Sequence, residues 1–315
     1  MATQANTALP AGFQLDQYRI ERQLSHGGFS LVYLARDAEG RPVAIKEYLP
    51  NSLALRKEGE LSPQVQSEHQ TAFRYGMKCF FEEGRSLARL MHPNVVRVLN
   101  FFRTNGTVYM VMEFEKGRTL NEYIQKYRGK VPERFIRAVF SRALNGLREV
   151  HSHKLLHLDL KPSNIYLRTN GTPVLLDFGA ARQTLAADQP MLKPMYTPGF
   201  ASPEQYGERD KLGPWSDLYS VGASLHACVL GTAPPRADER LQKETLQPLV
   251  GRKLPGYSRQ LLETIDWCLQ LDILERPQSA YSLQKALMQR EPGDELPPGL
   301  FADAGSRLKA FMERG

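Results

Sequence analysis

Cysteine is scarce: only Cys79, Cys228 and Cys268 occur in 315 residues, far apart, in apolar surroundings and with no CxxC pair. That spacing excludes a disulfide scaffold or a thiolate zinc site and is expected of reduced, buried thiols in a cytoplasmic protein. Long apolar runs are also missing. No stretch approaches the ~18 residues a membrane helix needs, and Met1 to Gly12 has no basic start followed by an apolar core. Neither a membrane segment nor a secretory signal is therefore expected here. Blocks of like charge are absent too. The net charge is +7, but Lys and Arg are interspersed with Asp and Glu and form no aromatic-interleaved basic stretch, which argues against a nucleic-acid partner. A mild positive excess suits polyphosphate and acidic partners. Hydrophobic content of 42% and charged content of 24% describe an ordinary folded chain, long enough for two modest lobes.

The periodicity changes along the chain. Residues 1–17 are rich in small and polar side chains and read as a flexible leader. From Tyr18 the pattern alternates, with strands at Tyr18 to Leu24, Leu31 to Arg36 and Pro42 to Lys46. Between 70 and 91, Phe73, Met77, Phe80, Phe81, Leu87 and Leu90 recur at three- to four-residue spacings for much of their length, which predicts a long amphipathic helix ending before His92-Pro93. Two more strands, Val95 to Arg103 and Thr107 to Glu113, flank an Asn105-Gly106 turn. Beyond Gly117 the chain becomes mainly helical, with stripes at Glu133 to Ser152, Trp215 to Leu230 and Tyr257 to Leu271. The expected organisation is a β-rich segment at 18–114, with an insertion at about 48–72, and a helical segment at 115–290. Residues 291–315 read as a linker and a short amphipathic helix.

The chemistry is concentrated in His157-Leu158-Asp159-Leu160-Lys161-Pro162-Ser163-Asn164, followed after a short hydrophobic strand by Asp177-Phe178-Gly179. Metal-assisted phosphoryl transfer needs an Asp to orient a hydroxyl, and an Asn and a second Asp to hold Mg²⁺. It also needs a Lys to neutralise the transferring phosphate. Upstream, Leu24-Ser25-His26-Gly27-Gly28-Phe29-Ser30 lies between two strands, and its small residues would let backbone N–H groups approach phosphates. Alone, such a stretch reads equally as a hairpin turn. Lys46 ends Val43-Ala44-Ile45-Lys46 and could reach phosphates if it faced the cleft. Glu83 is the candidate carboxylate to position it, and Glu82 is the rival, with a surface pair to Arg85 as the plain alternative.

This ordered set resembles the eukaryotic-like serine/threonine protein kinase family, in the style of its bacterial members, over about residues 18–290. The resemblance implies an α+β, two-lobed protein kinase fold: an N-lobe with an antiparallel β-sheet and one long helix, and a mainly helical C-lobe. It implies that Asp159 orients the acceptor hydroxyl, that Lys161 contacts the γ-phosphate of ATP, and that Asn164 and Asp177 ligate Mg²⁺. Ser25, Gly27, Gly28 and Ser30 would line the phosphates. Val32 and Ala44 would lie above the adenine and Tyr166 below it, with Met112 behind and Glu113 to Glu115 supplying backbone hydrogen bonds. Lys161 and Thr197 resemble the serine/threonine class. Ser202-Pro203-Glu204 resembles the end of an activation segment, with Glu204 paired to Arg276, and Asp217 resembles the Asp that anchors the catalytic-loop backbone. Protein substrates are implied, with a phosphopeptide-binding module and a cognate phosphatase as further partners. A pseudokinase or nucleotide-binding scaffold is the alternative, and a small-molecule kinase a weaker one.

Three departures from the family pattern stand out. Ser25 and Ser30 replace glycines, and a Cβ at either site disfavours positive φ. Leu158 replaces the Arg that would pair with a phosphate on the activation segment, so strong dependence on phosphorylation of Thr184, the candidate phosphosite, is not expected. Finally, residues 48–72 form a long polar insertion between Lys46 and Glu83, read as a surface elaboration or else a docking or dimerisation surface.

Overall fold

The computed structural model describes residues 6–178 and 196–289. They divide into two compact units, one of 6–91 and 96–115, the other of 92–95, 116–178 and 196–289. In the first unit the alternating segments become β1 (Gln14–Leu15), β2 (Tyr18–His26), β3 (Ser30–Arg36) and β4 (Pro42–Tyr48). The helix α1 (Gln70–Leu87) follows, then β5 (Val98–Thr104) and β6 (Thr107–Glu113). The strands form one antiparallel sheet in the order β1-β2-β3-β4-β6-β5. The β5–β6 hairpin turns on Asn105 and Gly106, whose φ values of 50° and 69° match the twist that a two-residue turn must continue.

Strand register decides which side chains share a face. Val32, Leu34, Ala44, Lys46, Met110 and Met112 lie on one, because each pairs across the ladder with another of the set. Tyr48 lies on it too and meets α1, its ring 5.3 Å from that of Phe73 and 5.8 Å from that of Phe80. The other face carries Tyr33, Ile45, Glu47 and Tyr109, all fully buried.

That second face overturns two expectations. The leader is not loose from residue 6 onward: Leu9 and Leu15 are buried, β1 pairs with β2, and Leu9 N–H donates to the Tyr33 hydroxyl. The insertion is not merely a surface elaboration, because its Arg56 is completely buried. The Arg56 guanidinium donates to both Glu47 oxygens, at 2.6 and 2.8 Å, and to the Tyr33 hydroxyl at 2.8 Å. Tyr33 and Tyr109 in turn donate to Glu47 at 2.6 and 2.7 Å. A carboxylate in the middle of a covered strand is tolerable only if paired and hydrogen-bonded, and the insertion delivers the cation. Burial, and then the charge of Glu47, push both phenols well above their ordinary pKa.

The second unit starts with β7 (Gly117–Thr119), α2 (Leu120–Tyr127) and α3 (Glu133–Ser152), then β8 (Ile165–Arg168) and β9 (Pro173–Leu175). A capping box of Thr119 and Glu122 opens α2. The α3 stripe of Phe135, Val139, Leu144, Leu147 and Val150 is buried. A Cβ at Gly146 on that helix would come within 2.7 Å of the Asn94 carbonyl, so the close approach of residues 92–95 requires glycine there. Helices α4 (Pro214–Leu230), α5 (Ala237–Gln242), α6 (Arg259–Cys268) and α7 (Ala280–Met288) complete the unit. Buried on nearly every side, α4 starts with Pro214 in its first turn and stops at Gly231, where φ is 81°. Among the described residues no helix is long and apolar enough to cross a membrane.

The Arg56–Glu47 pair makes a stability prediction. Arg56→Met should lower unfolding free energy by about 3–5 kcal/mol in urea, because Glu47 is left buried without its cation. A loss below about 1 kcal/mol, the scale of an exposed pair, would contradict this account of the second face.

Candidate active site

In the second unit the site is built on a left-handed residue. Leu158 has φ of 59°, an uncommon conformation for a residue with a Cβ, and its side chain is buried. Asp217, in the first turn of α4, holds the bend: its Oδ2 accepts from His157 N–H at 2.9 Å and its Oδ1 from Leu158 N–H at 2.7 Å. Gln205 Nε2 donates to the Leu158 carbonyl at 2.8 Å. Burial would raise the Asp217 carboxyl, but hydrogen bonds from His151, 2.8 Å away, and from the His157 amide hold it below the usual carboxylate range. Burial also keeps the His157 ring below its ordinary pKa, hence neutral. Its Nε2–H donates to the Leu176 carbonyl at 3.0 Å, which leaves Nδ1 to accept from Asp159 N–H at 3.4 Å.

Past the bend, four predicted residues come together. Lys161 Nζ donates to Asp159 Oδ2 and to Thr197 Oγ1, each at 2.7 Å, while the Thr197 hydroxyl donates to Asp159 Oδ1 at 2.7 Å. Asn164 Nδ2 donates to the Asp159 carbonyl at 2.9 Å and to Oδ2 at 3.2 Å. Asp159 is thus gripped through both oxygens yet remains partly exposed, with a side-chain exposure of 18%. Asn164 itself is buried, tied by its carbonyl to Leu176 N–H at 2.9 Å. Asp177 follows with φ of 58° and an exposed side chain. Amide and carboxylate oxygens at Asn164 and Asp177 are hard donors of the type Mg²⁺ accepts. The described residues contain no cluster of three or more His, Cys, Asp or Glu that could cage a metal. Such a donor set fits an ion that keeps waters and phosphate oxygens in its shell.

Further along this unit, Glu204 accepts two hydrogen bonds from the Arg276 guanidinium, both 2.9 Å, and one from Ser216 Oγ at 2.6 Å. Both ions are buried, and although burial alone would raise the Glu204 carboxyl, Arg276 holds it below its ordinary value. Tyr166, on β8, donates its hydroxyl to the Gly117 carbonyl at 2.9 Å. Thr184 lies outside the described residues.

The first unit carries the other candidates. Lys46 Nζ is 4.0 Å from Glu83 Oε1, with both residues buried, and 5.6 Å from the centre of the Phe80 ring. Glu82 instead sits at the surface with Arg85, 3.7 Å away. Val32, Ala44 and Met112 share the Lys46 face of the sheet. Glu113 N–H is committed to the Arg97 carbonyl at 2.9 Å; Glu115 closes the unit two positions later. Gly27 and Gly28 are exposed, and neither adopts positive φ. Ser25 and Ser30 lie in β2 and β3 with negative φ too, so the backbone cost expected from replacing glycine does not arise.

Two residues of this geometry were not singled out in the sequence. His151 would read as one more surface histidine at the end of α3. Gln205 caps a short turn with Ser202, and nothing in its sequence neighbourhood points to the Leu158 carbonyl.

Residues 18–288 match the protein kinase domain family. The chain belongs to that family. The apo form of PpkA-294 is similar in structure, with a TM-score of 0.79 and 36% identity, over 89% of this chain and 99% of that one. The kinase domain of Mycobacterium tuberculosis PknI, at 21% identity and a TM-score of 0.65 over 89% of this chain and 98% of its own, shares the fold. The serine/threonine-protein kinase ATG1c of Arabidopsis thaliana is 30% identical over 82% of this chain and 33% of its own length. The serine/threonine-protein kinase B of Synechocystis is 28% identical over 86% of this chain and 46% of its own. The kinase domain here therefore spans less than half the length of these two relatives.

The Glu204–Arg276 pair gives the kinase domain a pH signature. Because Glu204 is held below its ordinary value of 4.5, the pair's contribution is complete above that pH and is lost as pH falls through the lowered value. Glu204→Gln should cost about 3–5 kcal/mol at pH 7. Unfolding measured across pH should show the gap between variant and wild type shrinking below pH 4.5. A gap that stays constant with pH would contradict it.

Proposed function

We propose that this domain transfers the γ-phosphoryl group of ATP to Ser or Thr hydroxyls of proteins. One observation carries the reading: the carboxylate of Asp159 is oriented by Thr197 and Lys161 together, with Asn164 tying it to the loop. A carboxylate so held still has a lone pair, on Oδ1, for an incoming hydroxyl. Asp159 accepts the proton of the acceptor hydroxyl as its oxygen bonds to phosphorus and the bond to ADP breaks. Lys161 balances charge on the transferring group. The serine/threonine class is supported by Lys161 and Thr197 and by two relatives named as serine/threonine-protein kinases.

Asn164 and Asp177 would hold Mg²⁺, which when bound neutralises the phosphate oxygens. Lys46, positioned by Glu83, would contact the α- and β-phosphates. The backbone of residues 27–30 would line them, and Val32, Ala44 and Met112 would meet the adenine, with Tyr166 contributing from β8 and Glu113 to Glu115 offering backbone groups. Leu158 is apolar and buried, so it offers an activation-segment phosphate no charged partner. Control by phosphorylation of Thr184 is therefore not part of this reading.

Radiolabel transfer from ATP with Mg²⁺ to an added protein tests it. Asp159→Asn should reduce the rate about 10²- to 10⁴-fold, the span of a lost general base, while Thr184→Ala keeps most of it. No transfer from a folded wild type, or undiminished transfer by Asp159→Asn, would sink the proposal.

A further inference from the structure

The loop at residues 27–30 is held by the chain that follows β4. Leu49 N–H donates to the Phe29 carbonyl at 3.0 Å, and Asn51 N–H to the Gly28 carbonyl at 2.9 Å, so the β3–β4 pairing runs on past its strands. A trans peptide is planar, with its C=O and N–H opposed. Pinning the Gly28 and Phe29 carbonyls toward residues 49–51 therefore turns the N–H groups of Phe29 and Ser30 the other way. Gly27 N–H closes the loop on the Ser30 carbonyl at 2.9 Å.

Asn51 is exposed and would hold this position poorly by itself. Asn6 secures it from the leader. Only 6% exposed, Asn6 donates from Nδ2 to Asn51 Oδ1 at 2.7 Å and to the Ala54 carbonyl at 3.2 Å, and accepts on Oδ1 from Arg56 N–H at 2.6 Å. Every hydrogen-bonding end of its amide is used. The same junction is doubled by backbone: Thr7 N–H donates to the Arg56 carbonyl at 3.0 Å, and Arg56 Nε to the Thr7 carbonyl at 2.8 Å. Arg56 is rooted in Glu47, the neighbour of Lys46 on β4. Leader, insertion and loop thus form one hydrogen-bonded path.

We propose that Asn6 and Asn51 are positioning residues for the nucleotide, clamping residues 27–30 so that the Phe29 and Ser30 N–H groups face the polyphosphate. The inference rests on the reading of this loop as the phosphate loop. It explains how a loop with serines at two glycine positions can be pre-organised: the Gly27–Ser30 bond within it is joined by bonds from outside its own residues.

The test combines amide hydrogen exchange without nucleotide and steady-state kinetics with ATP, on wild type, Asn6→Ala, Asn51→Ala and Asn51→Gln. Asn6→Ala and Asn51→Ala should speed exchange at Leu49 and Asn51 about tenfold. They should also raise the KM for ATP about three- to tenfold with kcat nearly kept. Asn51→Gln retains the acceptor on an exposed arm and should restore most of both. Asn51→Ala alters an exposed side chain and carries the test if Asn6→Ala melts early. Unchanged exchange in folded Asn51→Ala overturns the clamp, and faster exchange with unchanged KM overturns its role. A wild type that binds no ATP overturns the kinase reading and this role with it. The exchange arm, which needs no nucleotide, tells that result apart from failure of the clamp alone.

Discussion

The buried carboxylate of Asp217 is the constraint on which the candidate centre depends. Its two oxygens take the N–H groups of His157 and Leu158 and hold Leu158 in a left-handed conformation that costs about 1–3 kcal/mol. Hydrogen bonds to an ionised acceptor are strong enough to cover that strain, and the low-dielectric surroundings favour them. Because the bend immediately precedes Asp159, the direction of the Asp159 side chain is set by a residue far along the chain, in α4. His151 and Gln205 serve the same bend, one at the Asp217 carboxylate and the other at the Leu158 carbonyl.

Both units treat buried charge alike. In the first, Glu47 is covered by Arg56 and two phenols, and Lys46 lies beside Glu83. In the second, Glu204 is matched to Arg276 in a two-bond fork. Buried ion pairs add little net stability, yet breaking one is costly, so each fixes the strands or loops it joins. Lys46 and Glu47 are adjacent on β4 and point to opposite faces, so one strand carries a candidate phosphate ligand and the anchor of the clamp on the loop before it.

Much of this was legible in the sequence where the determinants are local. The offsets among Asp159, Lys161 and Asn164 marked out side chains that do meet in the fold. The Asn105-Gly106 turn and the α3 stripe marked elements whose period and punctuation agree. Arg56 was not legible: in a polar insertion it reads as a surface cation, and only the register that places Tyr33, Glu47 and Tyr109 on one face makes it a core residue. Asn6 was lost in an apparently flexible leader for the same reason. Which glutamate faces Lys46 was open until helical phase put Glu83 inside and Glu82 outside. The bend at Leu158 depends on partners roughly 50 to 60 positions away, beyond the reach of local pattern.

The most direct measurement is a double-mutant cycle on the single-turnover rate of transfer from ATP, using Asp217→Asn and Thr197→Ala. If Asp217 acts through the orientation of Asp159, which Thr197 completes, the two losses overlap. The double variant should then be within about threefold of the slower single variant. Losses that multiply would mean that the Asp217 anchor and the Asp159 carboxylate act independently, and would contradict the account.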